Sequence, residues 1–186
     1  MSNNTLTQTK KTRTRSKPFP NLTGKTSNIR LGVIPSNCQP IVLKRNVLDR
    51  ILEFSDSQSD VEIGGFLIGN LFQDRFLKSG YIEVSEFIEA EKVHNDYRSL
   101  TFTHDSWAHL HRQLDERFVD QMVVGWHHTH PGFGIFLSRQ DEFIHQNFFS
   151  QPWQVALVVD PRQGELGFFQ WNDQQQIVDT GFILID

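Results

Sequence analysis

The sequence predicts an α/β fold: one domain in which a mixed, mostly antiparallel curved sheet is flanked by two or three helices. Three observations carry this expectation. Apolar residues recur at helical spacing in some segments, and alternate or form short continuous runs in others. Turn residues separate the segments, with no internal repeat and no βαβ alternation regular enough for a doubly wound sheet. The length of 186 residues, 38% hydrophobic and 22% charged, suits one domain plus a tail and excludes a coiled-coil rod or a wholly disordered chain. A chain of ~150 residues buries roughly 70% of its unfolded surface, so it needs no disulfide staples.

Taken in order, Pro40–Leu43 is a short strand. Asn46–Phe54 places Val47, Ile51 and Leu52 at helical spacing, with Asn46 as the expected N-cap. Val61–Phe72 is β-rich and holds paired glycines, and Tyr81–Phe87 alternates imperfectly as a strand. Ser99–Thr103 is a short strand leading into an amphipathic helix, His104–Phe118, with Trp107, Leu110, Leu114 and Phe118 on one stripe. Gln121–His128 reads as a strand, Ser138–Phe149 as a helix, and Trp153–Asp160 as a buried strand. Leu166–Trp171 and Ile177–Ile185 are two further strands.

Ahead of this domain, residues 1–36 read as a disordered basic tail, leaving 37–186 as the folded unit. Residues 1–48 carry nine Lys/Arg and no acid, so the rest of the chain holds all 22 acids and nine bases, a net of −13. An acidic body is a poor nucleic-acid platform, leaving only weak contact through the tail, and it suits a basic protein partner better. No apolar run approaches the ~18 residues of a membrane helix, and no secretory signal is visible. The single Cys38 excludes an internal disulfide and a Cys-rich zinc site, and fits a reducing, cytoplasmic location.

The chemistry concentrates in Gly125–Asp141. His128 and His130 lie two apart near the end of a predicted strand, so both imidazoles point to one face and His127 points away. Two such nitrogens can take two corners of a zinc tetrahedron, and Asp141 in the first turn of the next helix can take a third. Three ligands with an open fourth position is the catalytic pattern. Each residue also has a structural reading: two half-buried strand histidines, a tight Gly-Phe-Gly turn, and Ser138 with Asp141 as a capping-box variant. His109 and His111 lie i,i+2 on a helix and do not share a face, and His94, His104 and His145 read as surface or packing residues.

The joint spacing favours the metal. His128-Thr-His130-Pro, six residues, Ser138, two residues, Asp141 is similar to the JAMM motif of MPN-domain zinc metalloproteases, the PAD-1-like isopeptidases. Glu62-Ile-Gly-Gly-Phe-Leu-Ile-Gly69 resembles that family's upstream strand, and Val155–Pro161 the strand after the motif helix. The resemblance runs from about residue 40 to 185 and implies one MPN domain of cytidine-deaminase-like layout. It implies that His128, His130 and Asp141 bind one Zn²⁺, that Glu62 holds and deprotonates water, and that Ser138 stabilises the oxyanion. The apolar surroundings Val61, Ile63, Phe66 and Leu67 would raise the Glu62 pKa toward that of a working base.

Two departures bear on substrate rather than on zinc. His127 stands where eukaryotic deubiquitinases of the family usually carry Tyr, and Ile135-Phe136 where they often carry Cys-Trp. Leu100–Trp107 and Gly167–Trp171 look more like bacterial members, some of which accompany ubiquitin-like conjugation systems. The resemblance therefore implies a peptidase or isopeptidase acting after the C-terminus of ubiquitin or a ubiquitin-like protein, and pairing with a second MPN domain, alike or different. A zinc hydrolase of small-molecule or sulfur-carrier adducts, and a zinc-binding scaffold that needs a partner, are the alternatives. Val93–Arg98 lies where family members place a mobile insertion, and is expected to gate the groove.

Overall fold

The β-rich runs assemble into a curled ten-stranded sheet in the computed structural model, which describes residues 14–23, 27–75, 80–91, 94–96 and 99–186. In chain order the strands are β1 (Arg15–Ser16), β2 (Ile29–Leu31), β3 (Ile41–Lys44), β4 (Gly64–Gln73), β5 (Tyr81–Glu89), β6 (His94–Asp96) and β7 (Ser99–Thr101). There follow β8 (Met122–Thr129), β9 (Val155–Asp160), β10 (Glu165–Trp171), β11 (Ile177–Thr180) and β12 (Phe182–Ile185). The helices are α1 (Arg45–Ser57), α2 (His104–Glu116) and α3 (Arg139–Phe148). The sheet runs β11-β10-β9-β8-β4-β5-β3-β12-β2, with β1 paired to β4, and β6 and β7 form a separate hairpin. It is mixed: β8 and β9 run parallel, joined through α3, while β4 pairs antiparallel with both β5 and β8.

The alternation of the central strands explains the layering. On one face, Leu67 and Leu71 of β4, Leu157 and Val159 of β9, and Phe168 of β10 pack with Val47, Leu48 and Ile51 of α1. On the other face, Phe66, Ile68, Trp126 and Ala156 meet Leu110 of α2 and Ile144 of α3, with Phe149 just beyond it. Strand β8 needs an adjustment to serve both layers. Leu67 faces Gly125 but Ile68 faces Val123, so Val124 is left over at a register shift. Beyond that shift Trp126 and His128 share the α2–α3 side, and His127 looks toward α1.

Several boundaries differ from the sequence expectation. Helix α1 starts at Arg45 after Lys44, which makes no side-chain cap, so Asn46 is inside the helix rather than its N-cap. Thr103 leaves the preceding strand to cap α2, exchanging hydrogen bonds with Ser106. Ile177–Ile185 is two strands, not one. The chain turns at Gly181, where a Cβ would lie 2.4 Å from the Leu31 carbonyl oxygen, so β2 passes too close for any larger residue. The described part of the expected disordered tail is pinned to the domain. Arg15–Ser16 pair with Phe72–Gln73, Lys17 pairs with Glu83, and the Phe19 ring stacks edge-on against Tyr81 at 5.3 Å. Ile29–Leu31 complete the sheet edge on β12. Half of the predicted gate, Val93 and Tyr97–Arg98, lies outside the described residues, as does the tail before residue 14.

Candidate metal centre

Parity on β8 brings the imidazoles together. His128 and His130 are buried, their Nε2 atoms 3.1 Å apart. Asp141 completes the group, with Oδ1 at 3.3 Å from His128 Nε2 and Oδ2 at 3.4 Å from His130 Nε2. Among the described residues these three are the cluster of His, Cys, Asp and Glu whose donor atoms converge tightly enough to hold a metal. A tetrahedron with ~2.0–2.1 Å bonds has edges of about 3.3–3.4 Å, so the three spacings fit one zinc ion.

Each donor is aimed by its own local structure. The His128 ring lies flat on Trp126, centroids 4.4 Å apart and planes 9° apart. Trp126 is held in turn, because its indole N–H donates to His145 Nδ1 at 3.1 Å. His130 Nδ1 lies 3.2 Å from the Gly134 carbonyl oxygen, an acceptor only, so Nδ1 carries a proton and Nε2 is the atom turned to the centre. Asp141 is the third residue of α3. Its Oδ2 accepts the Ser138 N–H at 2.7 Å, and its own N–H donates to Ser138 Oγ at 3.2 Å. The capping reading and the ligand reading are therefore the same geometry: the cap fixes the carboxylate that faces the imidazoles. Ser138 Oγ accepts in the cap, and its side chain also hydrogen-bonds the Asp141 carboxylate.

Glu62 precedes β4 and is 5% exposed. The β4–β8 pairing continues beyond Gly64: Thr129 N donates to Ile63 O at 2.9 Å, and Ile63 N to Thr129 Oγ1 at 3.0 Å. This clamp carries Glu62 to the histidine side, where its charge reaches His130. Arg162 steadies the turn ahead of it, donating to Ser59 O at 3.0 Å and to Asp60 at 2.6 Å. Phe136 packs at a tilt against the His130 ring, centroids 4.6 Å apart and planes 50° apart, and is 44% exposed, at the border of an apolar groove of about 770 Å³. Leu166 and Phe169 also line that groove; none of Glu62, His128, His130, Ser138 and Asp141 does.

The electrostatics follow from burial and from shared protons. Burial would raise the Asp141 pKa, but hydrogen bonds from His128, His130 and Ser138 outweigh it and hold the carboxyl well below its ordinary range. Burial depresses His128, and Asp141 only partly offsets that. At His130 burial also acts downward, yet Asp141, Glu62 and the Gly134 carbonyl together lift the imidazole above its usual value. Protons shared between two imidazoles and a carboxylate mark a place that a divalent cation would take by displacing them, completing all three donors at once.

Of the five motif residues, the structure brings His128, His130 and Asp141 together, ties Ser138 to Asp141 by the cap, and connects Glu62 through its charge at His130. His127 faces away as expected, with Nε2 3.1 Å from Ser55 Oγ and Nδ1 3.2 Å from Leu157 O. His145 is fully buried, in line with a packing role. Sequence reasoning did not give a role to Thr129, Trp126 or Asp160. The available signal for Asp160 was an acid closing an otherwise apolar strand just before Pro161, because a buried carboxylate needs several donors.

Residues 36–151 match the family described as JAB1/Mov34/MPN/PAD-1 ubiquitin protease. The 26S proteasome non-ATPase regulatory subunit 14 of Dictyostelium discoideum is 49% identical over 138 residues, 72% of this chain and 42% of that protein. The NAD(+) hydrolase TcpA of a Theionarchaea archaeon is 25% identical over 121 residues, 64% of this chain and 33% of that protein. The chain thus spans less than half the length of either relative. The solution structure of protein DSY2949 from Desulfitobacterium hafniense shares the fold, with a TM-score of 0.58 and 19% identity over 78% of this chain and 93% of that one.

Proposed function

The chain belongs to the JAB1/Mov34/MPN/PAD-1 family, and from that premise we propose that it is a zinc-dependent peptidase or isopeptidase. Its substrate would be the bond after the C-terminus of ubiquitin or a ubiquitin-like protein. The observation that carries the reading is the convergence of His128, His130 and Asp141 at 3.1–3.4 Å, with Glu62 and Ser138 beside them.

His128, His130 and Asp141 would hold the ion. A bound zinc supplies a Lewis acid for the scissile carbonyl and brings a water near neutral pH within reach of deprotonation. The Glu62 carboxylate accepts the proton of the attacking water and returns it to the departing amine. The Ser138 O–H, turning from the Asp141 carboxylate, donates to the carbonyl oxygen as negative charge develops there. Water exclusion is supplied by the Trp126–His128 stack beneath the centre and by Phe136 against His130. The exposed Phe133 and Phe136 give an extended peptide apolar contact beside the site.

The test is a panel of ubiquitin-like fusions cleaved by wild type and by Glu62→Gln, with zinc measured in both. Gln keeps the shape of the side chain and removes the base. Equal zinc and a 10²–10⁴-fold slower variant is the expected result. A variant that cleaves as fast as wild type overturns the role of Glu62. Zinc without cleavage of any fusion overturns the substrate class and favours a small-molecule substrate or a partner-dependent scaffold.

A further inference from the structure

The five motif residues leave unexplained a carboxylate at the corner where β9 ends. Asp160 is fully buried, yet it accepts four backbone hydrogen bonds. Oδ1 takes the N–H groups of Gly132 at 2.9 Å, Arg162 at 3.0 Å and Gln163 at 3.1 Å, and Oδ2 takes that of Gly134 at 2.8 Å. The Arg162 and Gln163 bonds close a local turn. The other two span 26 and 28 residues and reach the Gly132-Phe133-Gly134 turn. That turn needs holding, because both glycines sit in the left-handed region, at φ 84° and 82°, where their backbone is freest. The turn is also tied to His130, because Phe133 N donates to the His130 carbonyl oxygen at 3.2 Å and the Gly134 carbonyl faces His130 Nδ1 at 3.2 Å.

We propose that Asp160 is a positioning residue for the metal centre: by pinning Gly132 and Gly134, it holds the carbonyl that fixes His130 as the Nδ1–H tautomer, with Nε2 directed at His128 and Asp141. A carboxylate suits this task. Two oxygens with about four lone-pair sites can take all four N–H groups, whereas an amide offers one accepting oxygen and would set an NH₂ against the Gly134 N–H or the other three. Without it the turn keeps only the Phe133 N–H bond to the His130 carbonyl, and the Gly134 carbonyl that selects the His130 tautomer is no longer anchored from β9.

The inference rests on the zinc reading above, and its test separates the two. Zinc affinity of the full chain is measured by competition with a chromophoric chelator, with no substrate present, for wild type and Asp160→Asn. The expected result is a 10–100-fold weaker variant. Ile183→Ala, in β12 on the far side of the sheet, serves as a control for lost stability and is expected to bind zinc within about twofold of wild type. Nitrogen-15 spectra of the metal-free wild type, taken above the raised His130 pKa so that the ring is neutral, are expected to show its one proton on Nδ1. Asp160→Asn with wild-type affinity overturns the inference and leaves the zinc site standing. An Nε2–H tautomer in the metal-free wild type overturns it even where Asp160→Asn fails to fold. A wild type that binds no zinc overturns the proposed function itself.

Discussion

His127 and His128 are neighbours on β8, and their rings lie in opposite environments. His127 is closed on every side. Ser55 and Leu157 take its two nitrogens, Phe54 and Phe87 stand edge-on to it, and burial pushes its pKa down to about 3. It is a neutral core residue that happens to be polar. His128 is equally buried but unfinished: its Nε2 points to His130 and Asp141, and its Nδ1 has no partner among the described residues. The difference lies in what faces each side of the strand. A ring between a helix and a carbonyl finishes its own hydrogen bonds, whereas a ring beside a second imidazole and a carboxylate leaves room for an ion. Strand parity, reset by the leftover Val124, decides which ring is which.

The largest effect that would break this contrast is on metal binding. His128→Ala is expected to abolish zinc retention. His127→Ala is expected to keep one zinc per chain while losing about 1–3 kcal/mol of stability, from the buried partners left unpaired. Zinc content and urea midpoints read the two effects separately; loss of zinc in both variants would erase the distinction between the faces. Next in size is Ser138→Ala. Removal of an oxyanion donor costs about 2.7–4 kcal/mol in turnover, and loss of the cap about 1 kcal/mol in stability. A variant that loses stability alone would confine Ser138 to the cap.

The smallest effect concerns pH. His145, under Trp126, has its pKa lowered to about 4 by burial and by the charge of His128. The unfolded chain, with an ordinary value near 6.5, binds the proton first. Stability from this group is therefore full above that value and is lost as pH falls from about 6.5 toward 4, by at most about 1.4 kcal/mol per pH unit. His145→Leu should flatten that part of a pH series of urea midpoints relative to wild type, and an unchanged slope would show that His145 is not held neutral.

The site was more legible in the sequence than the frame around it. Motif spacing and strand parity are local, so His128, His130, Ser138 and Asp141 could be placed on a strand end and a helix start. Glu62 was placed by its upstream motif, although the clamp through Thr129 that delivers it is a long-range contact with no local signature. The break of Ile177–Ile185 at Gly181 depends on β2 passing within contact, which periodicity does not record. The early residues read as a tail because their composition is polar. Phe19 and the pairing of Arg15–Ser16 with β4 exploit surfaces that exist only in the folded domain. Asp160 was visible only as part of a family-like strand, because its four donors come from two turns separated by nearly thirty residues.

The central claim is that His128, His130 and Asp141 form one metal centre. Elemental analysis of the full chain, loaded with zinc and freed of excess by gel filtration, tests it most directly when wild type is compared with Asp141→Ala. One zinc per chain in wild type and none in the variant is the predicted result. A wild type without zinc, or a variant that keeps it, would contradict the centre and leave Ser138 and Asp141 as the cap of α3 alone.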